Sequence, residues 1–264
     1  MLRLPYNLIT LLFPAKCLGC ETELSDSDGL FESGTAENLS LGFDFLQAFD
    51  HHWCRDCWRE LNVGTEKSCI KCGATSKYSN PYEDSCALCH GLDLRFEQAV
   101  SIGNYRGMLQ ELVIQMKNQH LEQMAIQLGN ILGYQIVNAD FFDDIDLVVP
   151  IPTHWWRRAR RGFHGAEVLA ESVANACQLP VSNHALGVSR STKKQGTLSN
   201  AGRFKNVRNA FTVRHKASVN GRTVLLVDDV MTSGATASEA ARILLHEGAA
   251  KVYVGVIARG ARVS

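Results

Sequence analysis

Apolar and polar positions change rhythm part-way along the chain. Up to about residue 90 the apolar residues are broken up by paired cysteines; from Gly91–Phe96 onward regular periods begin. Gln98–Ile102 predicts a strand. Within Arg106–Asn118, Met108, Leu109, Leu112, Val113 and Met116 recur at helical spacing, and a second helix is predicted from about Leu121 to Val137. Ile145–Val149 is a short apolar run stopped by Pro150, the pattern of a strand buried on both faces. Gly165–Cys177 predicts a helix with Ala166, Leu169, Ala170, Val173 and Cys177 on one face, which makes Cys177 a small buried apolar residue. Thr223–Val227 is a third apolar run, Ala237–His246 a helix stopped at Gly248, and Lys251–Ile257 a β-branched strand. Strands alternating with helices predict an α/β domain with a mainly parallel sheet, whose ligands lie beyond the carboxyl ends of the strands. The change of rhythm divides the chain into 1–92 and 93–264.

Composition adds little until it is read locally. The 264 residues are 45% apolar and 20% charged, a globular balance that excludes an acidic disordered chain or a collagen-like fibre. The apolar run Leu8–Phe13 is interrupted by Thr10 and stopped by Pro14. It falls far short of the ~20 residues of a membrane helix and lacks a cleavage region, so a soluble, cytoplasmic protein without a membrane span is expected. The formal net charge is zero, yet residues 1–98 carry 8 basic and 15 acidic side chains and residues 99–264 carry 19 basic and 12 acidic. Between Thr153 and Arg222 there are 13 basic residues against Glu167 and Glu171 alone. Such an excess points to a face suited to phosphates rather than to scattered solvated charges.

Eight of the nine cysteines form four Cys-x-x-Cys pairs: Cys17/Cys20, Cys54/Cys57, Cys69/Cys72 and Cys86/Cys89. Two intervening residues let both thiolates of a knuckle face one tetrahedral zinc ion, and two knuckles complete a site. Two structural zinc sites follow, the simplest pairing being sequential and a cross-braced one remaining open. A disulfide scaffold fits poorly without a secretion signal, and a redox motif needs one pair beside a βαβ unit rather than four in a row. No coordination position is left open for catalysis. The 33 residues between Cys20 and Cys54 form a long acidic insertion.

The clearest chemistry lies in Thr223–Thr236. A buried strand runs into adjacent carboxylates, Asp228 and Asp229, followed by Met231, Thr232, Ser233, Gly234, Ala235 and Thr236 at the start of a helix. Amide groups, hydroxyls and the positive end of a helix converge there into a cradle for a phosphate, and Gly234 lets the backbone approach it. Carboxylates beside such a cradle suit sugar hydroxyls, or a Mg²⁺ ion shared with a second phosphate group. The implied ligand carries a 5′-phosphate, a ribose and a diphosphate. An ordinary strand–turn–helix with an Asp N-cap would account for Asp229 or Thr232 alone, but not for two acids followed by Thr-Ser-Gly-Ala-Thr after a buried strand.

This segment resembles the phosphoribosyl pyrophosphate (PRPP) signature of type I phosphoribosyltransferases, in which the two acids contact the ribose or its metal and the loop holds the 5′-phosphate. Asp228 and Asp229 take the first role by that resemblance, and Met231–Thr236 the second. The chain as a whole runs from a double zinc ribbon through Tyr105–Gly107 leading to Lys117, Pro150-Ile151-Pro152, Arg161-Gly162-Phe163 and Arg190–Asn206 to that loop. This order resembles the ComF family, including its GntX-like members, over nearly the whole chain. The resemblance implies a type I phosphoribosyltransferase-like sheet with helices on both faces behind a small zinc-ribbon domain. It also implies PRPP with Mg²⁺ as ligand and a part in natural transformation or the use of external DNA. By the same analogy Lys193, Lys194 and Arg203 belong to a basic hood that neutralises the diphosphate on closure. Where the family usually reads Arg-Gly-Phe-Asn-Gln, this chain has Arg161-Gly162-Phe163-His164-Gly165.

Two functions follow. One is transfer of ribose 5-phosphate from PRPP to an acceptor, with charge stabilisation of departing pyrophosphate; no residue stands out as general base. The other is a binding protein for single-stranded DNA or for proteins of DNA uptake. The run Trp155, Trp156, Arg157, Arg158, Arg160 and Arg161 offers rings for base stacking beside cations for phosphates, although the two tryptophans suit core packing equally well.

Overall fold

The computed structural model describes residues 15–24, 52–61, 63, 68–75, 85–119, 122–152, 165–192 and 199–260. The apolar run near the N-terminus and most of the acidic insertion lie outside them. Contacts divide the chain into two compact units, Met1–Asn62 and Val63–Ser264, a division upstream of the change in sequence rhythm.

In the first unit, a Lys16–Glu23 bridge closes the knuckle of Cys17 and Cys20. The amide of Leu18 donates to the His52 carbonyl at 2.9 Å, and helix α1 (Arg55–Leu61) follows the second pair. Trp53, Cys17, Cys57 and Leu61 are buried.

The second unit is built on β1 (Ala99–Asn104), β2 (Leu147–Pro150), β5 (Thr223–Met231) and β6 (Lys251–Arg259). They form a sheet in the order β1-β6-β5-β2 with every pairing parallel. A separate antiparallel pair joins β3 (Leu186–Val188) to β4 (Phe211–Val213). Helices α2 (Gly107–Gln119), α3 (Glu122–Val137) and α4 (Gly165–Cys177) fall where the apolar stripes predict them. Helices α5 (Asn200–Val207) and α6 (Ala235–His246) complete the unit.

The β-branched runs of β5 and β6 are buried almost throughout, as a sheet covered on both faces requires. Successive residues alternate between those faces. Val224 and Leu226 of β5, with Val252, Val254 and Val256 of β6, join Ala237, Ala240 and Ala241 of α6 in one apolar layer. The other layer packs under α3 and α4, and at Gly255 an added Cβ would sit 3.0 Å from Ile136. Cys177 lies buried in α4, where its apolar surroundings push the thiol up to about 12.

Two features differ from the sequence pattern. Strand β5 does not stop at Val227: Asp228, Val230 and Met231 continue the ladder against Val256, Ala258 and Arg259. The second cysteine cluster is also part of this unit's core. Cys69, Cys72, Cys86 and Cys89 share an apolar layer with the sheet, and Gly73 lies so close to β1 that an added Cβ would meet the Ala99 carbonyl at 3.1 Å. The Ser101 hydroxyl donates to the Gly73 carbonyl at 2.6 Å, and the Ala99 amide to the Ile70 carbonyl at 3.1 Å.

Candidate functional site

The carboxyl end of β5 passes through a three-residue turn into α6. Gly234 occupies the N-cap of α6 with φ +76°, a left-handed conformation that a side chain would strain. An added Cβ would also meet Leu94 at 3.0 Å and the Met231 sulfur at 3.6 Å, so the turn is closely backed on one side. The Ala235 amide lies 3.4 Å from the Ser233 hydroxyl, and the Ser238 amide donates to the Gly234 carbonyl. Among the described residues the amides of Thr232, Ser233 and Gly234 have no acceptor. The first turn of α6 contains no acidic residue, which leaves the positive end of its dipole uncompensated. Three unengaged N–H groups at such an end form a seat for an anion.

The carbonyl side of the turn is occupied. Arg259, at the end of β6 and 1% exposed, donates from Nη1 to the carbonyls of Met231 at 2.9 Å, Gly260 at 2.7 Å and Thr232. Its Nε donates to the Cys72 carbonyl at 3.1 Å.

Just upstream the two carboxylates diverge in environment. Lys117, in the last turn of α2, lies 2.8 Å from Asp229 Oδ1 with both side chains half-buried. Among the described residues no cation pairs with Asp228, whose Oδ1 accepts the Asp229 amide at 2.9 Å. Burial first, then the neighbouring Asp229 charge, pushes the Asp228 carboxyl up to about 7. Sequence periodicity marks Lys117 only as the polar end of an apolar helix; its ion pair is a tertiary fact.

Arg203 is 8% exposed within α5, whose N-cap Ser199 accepts the Gly202 amide at 3.2 Å. Lys193 and Lys194 lie outside the described residues, as do Trp155, Trp156, Arg157, Arg158, Arg160 and Arg161. The flanks of the basic segment are tied together: Arg190 donates to the carbonyls of Asn206 at 2.9 Å and Arg208 at 3.1 Å. Asn209 is tied in turn to α6, its amide to Glu239 at 2.6 Å and its side chain to Arg242 at 2.9 Å. A cleft of about 580 Å³ opens there between α5 and α6, and Arg95, Lys205, Arg208 and Arg242 outnumber Asp93 and Glu239 along it.

The cysteines assemble in sequence order, Cys17, Cys20, Cys54 and Cys57 in one cluster and Cys69, Cys72, Cys86 and Cys89 in the other, each with its sulfurs within 4.8 Å of one another. Sulfurs at the corners of a tetrahedron with Zn–S of ≈2.3 Å stand ~3.8 Å apart. The separations Cys20–Cys54 at 3.7 Å, Cys69–Cys89 at 3.8 Å, Cys72–Cys86 at 3.5 Å and Cys86–Cys89 at 3.9 Å fit that edge. Amides also point at sulfur, from Cys54 to Cys17 at 3.2 Å and from Gly19 to Cys17 at 3.4 Å, as thiolate ligands require. Both donor sets fit a structural zinc ion.

Residues 122–262 match the profile of the phosphoribosyl transferase domain family. The chain is 30% identical to the DNA utilization protein YhgH of Escherichia coli (strain K12) over 214 residues, 79% of this chain and 91% of that protein. It is 27% identical to competence protein F of Haemophilus influenzae, covering 78% of this chain and 90% of that one. It is 27% identical to competence protein ComFC of Bacillus subtilis, covering 89% and 90% respectively.

Proposed function

Because this chain belongs to the phosphoribosyl transferase domain family, and within it to the group of the ComF and YhgH proteins, we propose that it binds PRPP, or a related ribose 5-phosphate, with Mg²⁺ at the end of β5 in the service of DNA uptake or utilisation. One observation carries the reading: three amides without acceptors at the start of α6 adjoin two carboxylates at the end of the same strand. The amides of Thr232, Ser233 and Gly234, with the hydroxyls of Thr232, Ser233 and Thr236, suit the 5′-phosphate. Met231 and Ala235 bound that cradle. Asp228 and Asp229 suit the ribose hydroxyls or Mg²⁺, which when bound would screen the diphosphate. Lys117 holds Asp229 in place by its ion pair. Lys193, Lys194 and Arg203 are assigned to the diphosphate side. The protein is placed in the cytoplasm, where PRPP is found.

Calorimetry tests the assignment. PRPP with Mg²⁺ is expected to bind more tightly than nucleoside monophosphates, and Asp229→Asn to weaken it by about tenfold or more, ~1.4 kcal/mol. Equal heats for PRPP and nucleoside monophosphates, or an unchanged affinity in Asp229→Asn, overturn it. Pyrophosphate release in the presence of candidate acceptors separates a transferase from a binding protein.

The basic cleft between α5 and α6 favours a second, compatible reading, in which the protein also holds single-stranded DNA. Trp155, Trp156, Arg157, Arg158, Arg160 and Arg161 are proposed to extend that surface. Binding through several phosphates is expected to weaken by roughly a hundredfold or more between 50 and 200 mM salt. A salt-independent affinity for oligonucleotides removes this reading.

A further inference from the structure

Among the described residues Arg259 is the most deeply buried cation of the second unit, and no carboxylate pairs with it. A buried charge without a counter-charge is costly, so a guanidinium held this way needs both satisfied donors and a compensating field. Its donors are satisfied by carbonyls from two places far apart in sequence. On one side is Cys72, a ligand of the second cysteine cluster; on the other are Met231, Thr232 and Gly260, which fix the carbonyl face of the β5–α6 turn. A divalent ion held by four thiolates leaves a net negative group, which would supply the missing field.

The same cluster grips the turn from a second direction. Leaving the Cys86–Cys89 knuckle, the chain lays Leu94 against Gly234. The Arg95 amide donates to the Ser238 hydroxyl at 3.0 Å, and that hydroxyl donates to the Asp93 carbonyl at 3.0 Å. Ser238 is itself buried, one turn into α6.

We propose that Arg259 is a positioning residue through which the second cysteine cluster sets the geometry of the β5–α6 turn, so that metal binding by Cys69, Cys72, Cys86 and Cys89 preorganises the seat for the anionic ligand. The proposal rests on the reading that this turn takes a ribose 5-phosphate. It gives the second cluster, which lies in the same compact unit as the turn, a role in ligand binding. With its carbonyls tied back to Arg259, the turn has its amides aimed outward before any phosphate arrives, and binding spends less on ordering it.

Amide hydrogen exchange of the ligand-free full-length protein provides the test, with zinc stoichiometry measured alongside. In Arg259→Met the amides of Ser238 and Gly260, which close the turn by donating to the Gly234 and Met231 carbonyls, are expected to exchange about tenfold faster while the chain keeps two zinc ions, ~1.4 kcal/mol of local stability. PRPP affinity, measured with Mg²⁺, is expected to fall in parallel. Arg259→Lys, which keeps the charge but not the forked donor, is expected to lie between. Cys20→Ser, which opens the first cluster only, is expected to leave exchange of the turn unchanged. Unchanged exchange in Arg259→Met overturns the brace, and unchanged exchange in Arg259→Lys does so should Arg259→Met not fold. A turn loosened equally by Cys20→Ser also overturns it. If the wild type binds no PRPP yet the turn loosens as described, the ligand assignment fails and the brace stands.

Discussion

Asp228 and Asp229 show how adjacent residues of one type acquire different properties. Asp229 is paired with Lys117, whereas Asp228 is held above the ordinary carboxylate range, at about 7, by burial and by its neighbour's charge. The raised value has a sign for stability. The unfolded chain loses the Asp228 proton near pH 4 while the folded chain keeps it, so the stabilisation present below that pH is lost as pH rises through about 7. Asp228→Asn is therefore expected to be more stable than wild type at pH 8 by about 1–3 kcal/mol, after discounting for solvent access, and indistinguishable at pH 4. Thermal unfolding at the two pH values, without ligand, checks this; an equal difference at both would show that the carboxyl is not perturbed. If Asp228 takes the proposed role toward Mg²⁺ and ribose, which calls for the carboxylate, binding has the opposite trend: PRPP affinity should rise between pH 6 and 8 more steeply in wild type than in Asp228→Asn. The ligand's own phosphate titration is common to both proteins and cancels in the comparison. Stability surrendered at a binding carboxylate is the usual exchange at functional sites.

At the level of elements, the sequence was most legible where apolar periodicity was long. The stripe of Met108, Leu109, Leu112, Val113 and Met116 locates α2, and Gly165–Cys177 locates α4 to the residue, because burying a stripe and forming a helix are the same event. The end of β5 was less legible: Asp228 and Asp229 break the apolar run, but ladder pairing with β6 carries the strand on to Met231. The signature residues of the turn were readable from their order alone. Lys117 stood in the motif order without its ion pair, and Arg259 was not marked at all, since the Lys117–Asp229 pair and the Arg259–Cys72 bond each span more than a hundred residues. The contact between α3 and α4 was equally hidden. Gly129 and Gly133 read as poor helix formers, yet an added Cβ would lie 2.5 Å from that of Ser172 and 2.6 Å from that of Ala176. They are places of close helix approach. Gly129→Ala normally gains ~1 kcal/mol of helix propensity, but here overpacking is expected to dominate, with a net loss of about 1–3 kcal/mol by chemical denaturation. Combining it with Ser172→Gly, which reopens the space, should recover part of the loss. No recovery would mean that the backbone contact with the Leu169 carbonyl, at 3.0 Å, sets the limit.

The molecule as a whole treats its two cysteine clusters differently, although the sequence writes them alike. The first lies in the unit Met1–Asn62 with Cys20 exposed, whereas the second is wholly buried and shares an apolar layer with the sheet of Val63–Ser264. Metal-binding free energy is folding free energy for whichever structure the ligands hold together. Cys20→Ser is therefore expected to release one zinc ion and leave the denaturation of the sheet unit within about 0.5 kcal/mol of wild type. Cys72→Ser is expected to release the other and to destabilise that unit by at least ~3 kcal/mol, since it removes a ligand and frees a core segment together. Zinc stoichiometry with near-ultraviolet circular dichroism through a denaturant series distinguishes them. Equal effects would mean that the two clusters support one cooperative structure. The expected inequality assigns the first cluster to the stability of its own unit and makes the second a part of the phosphoribosyl transferase fold itself, with the ligand turn resting on it.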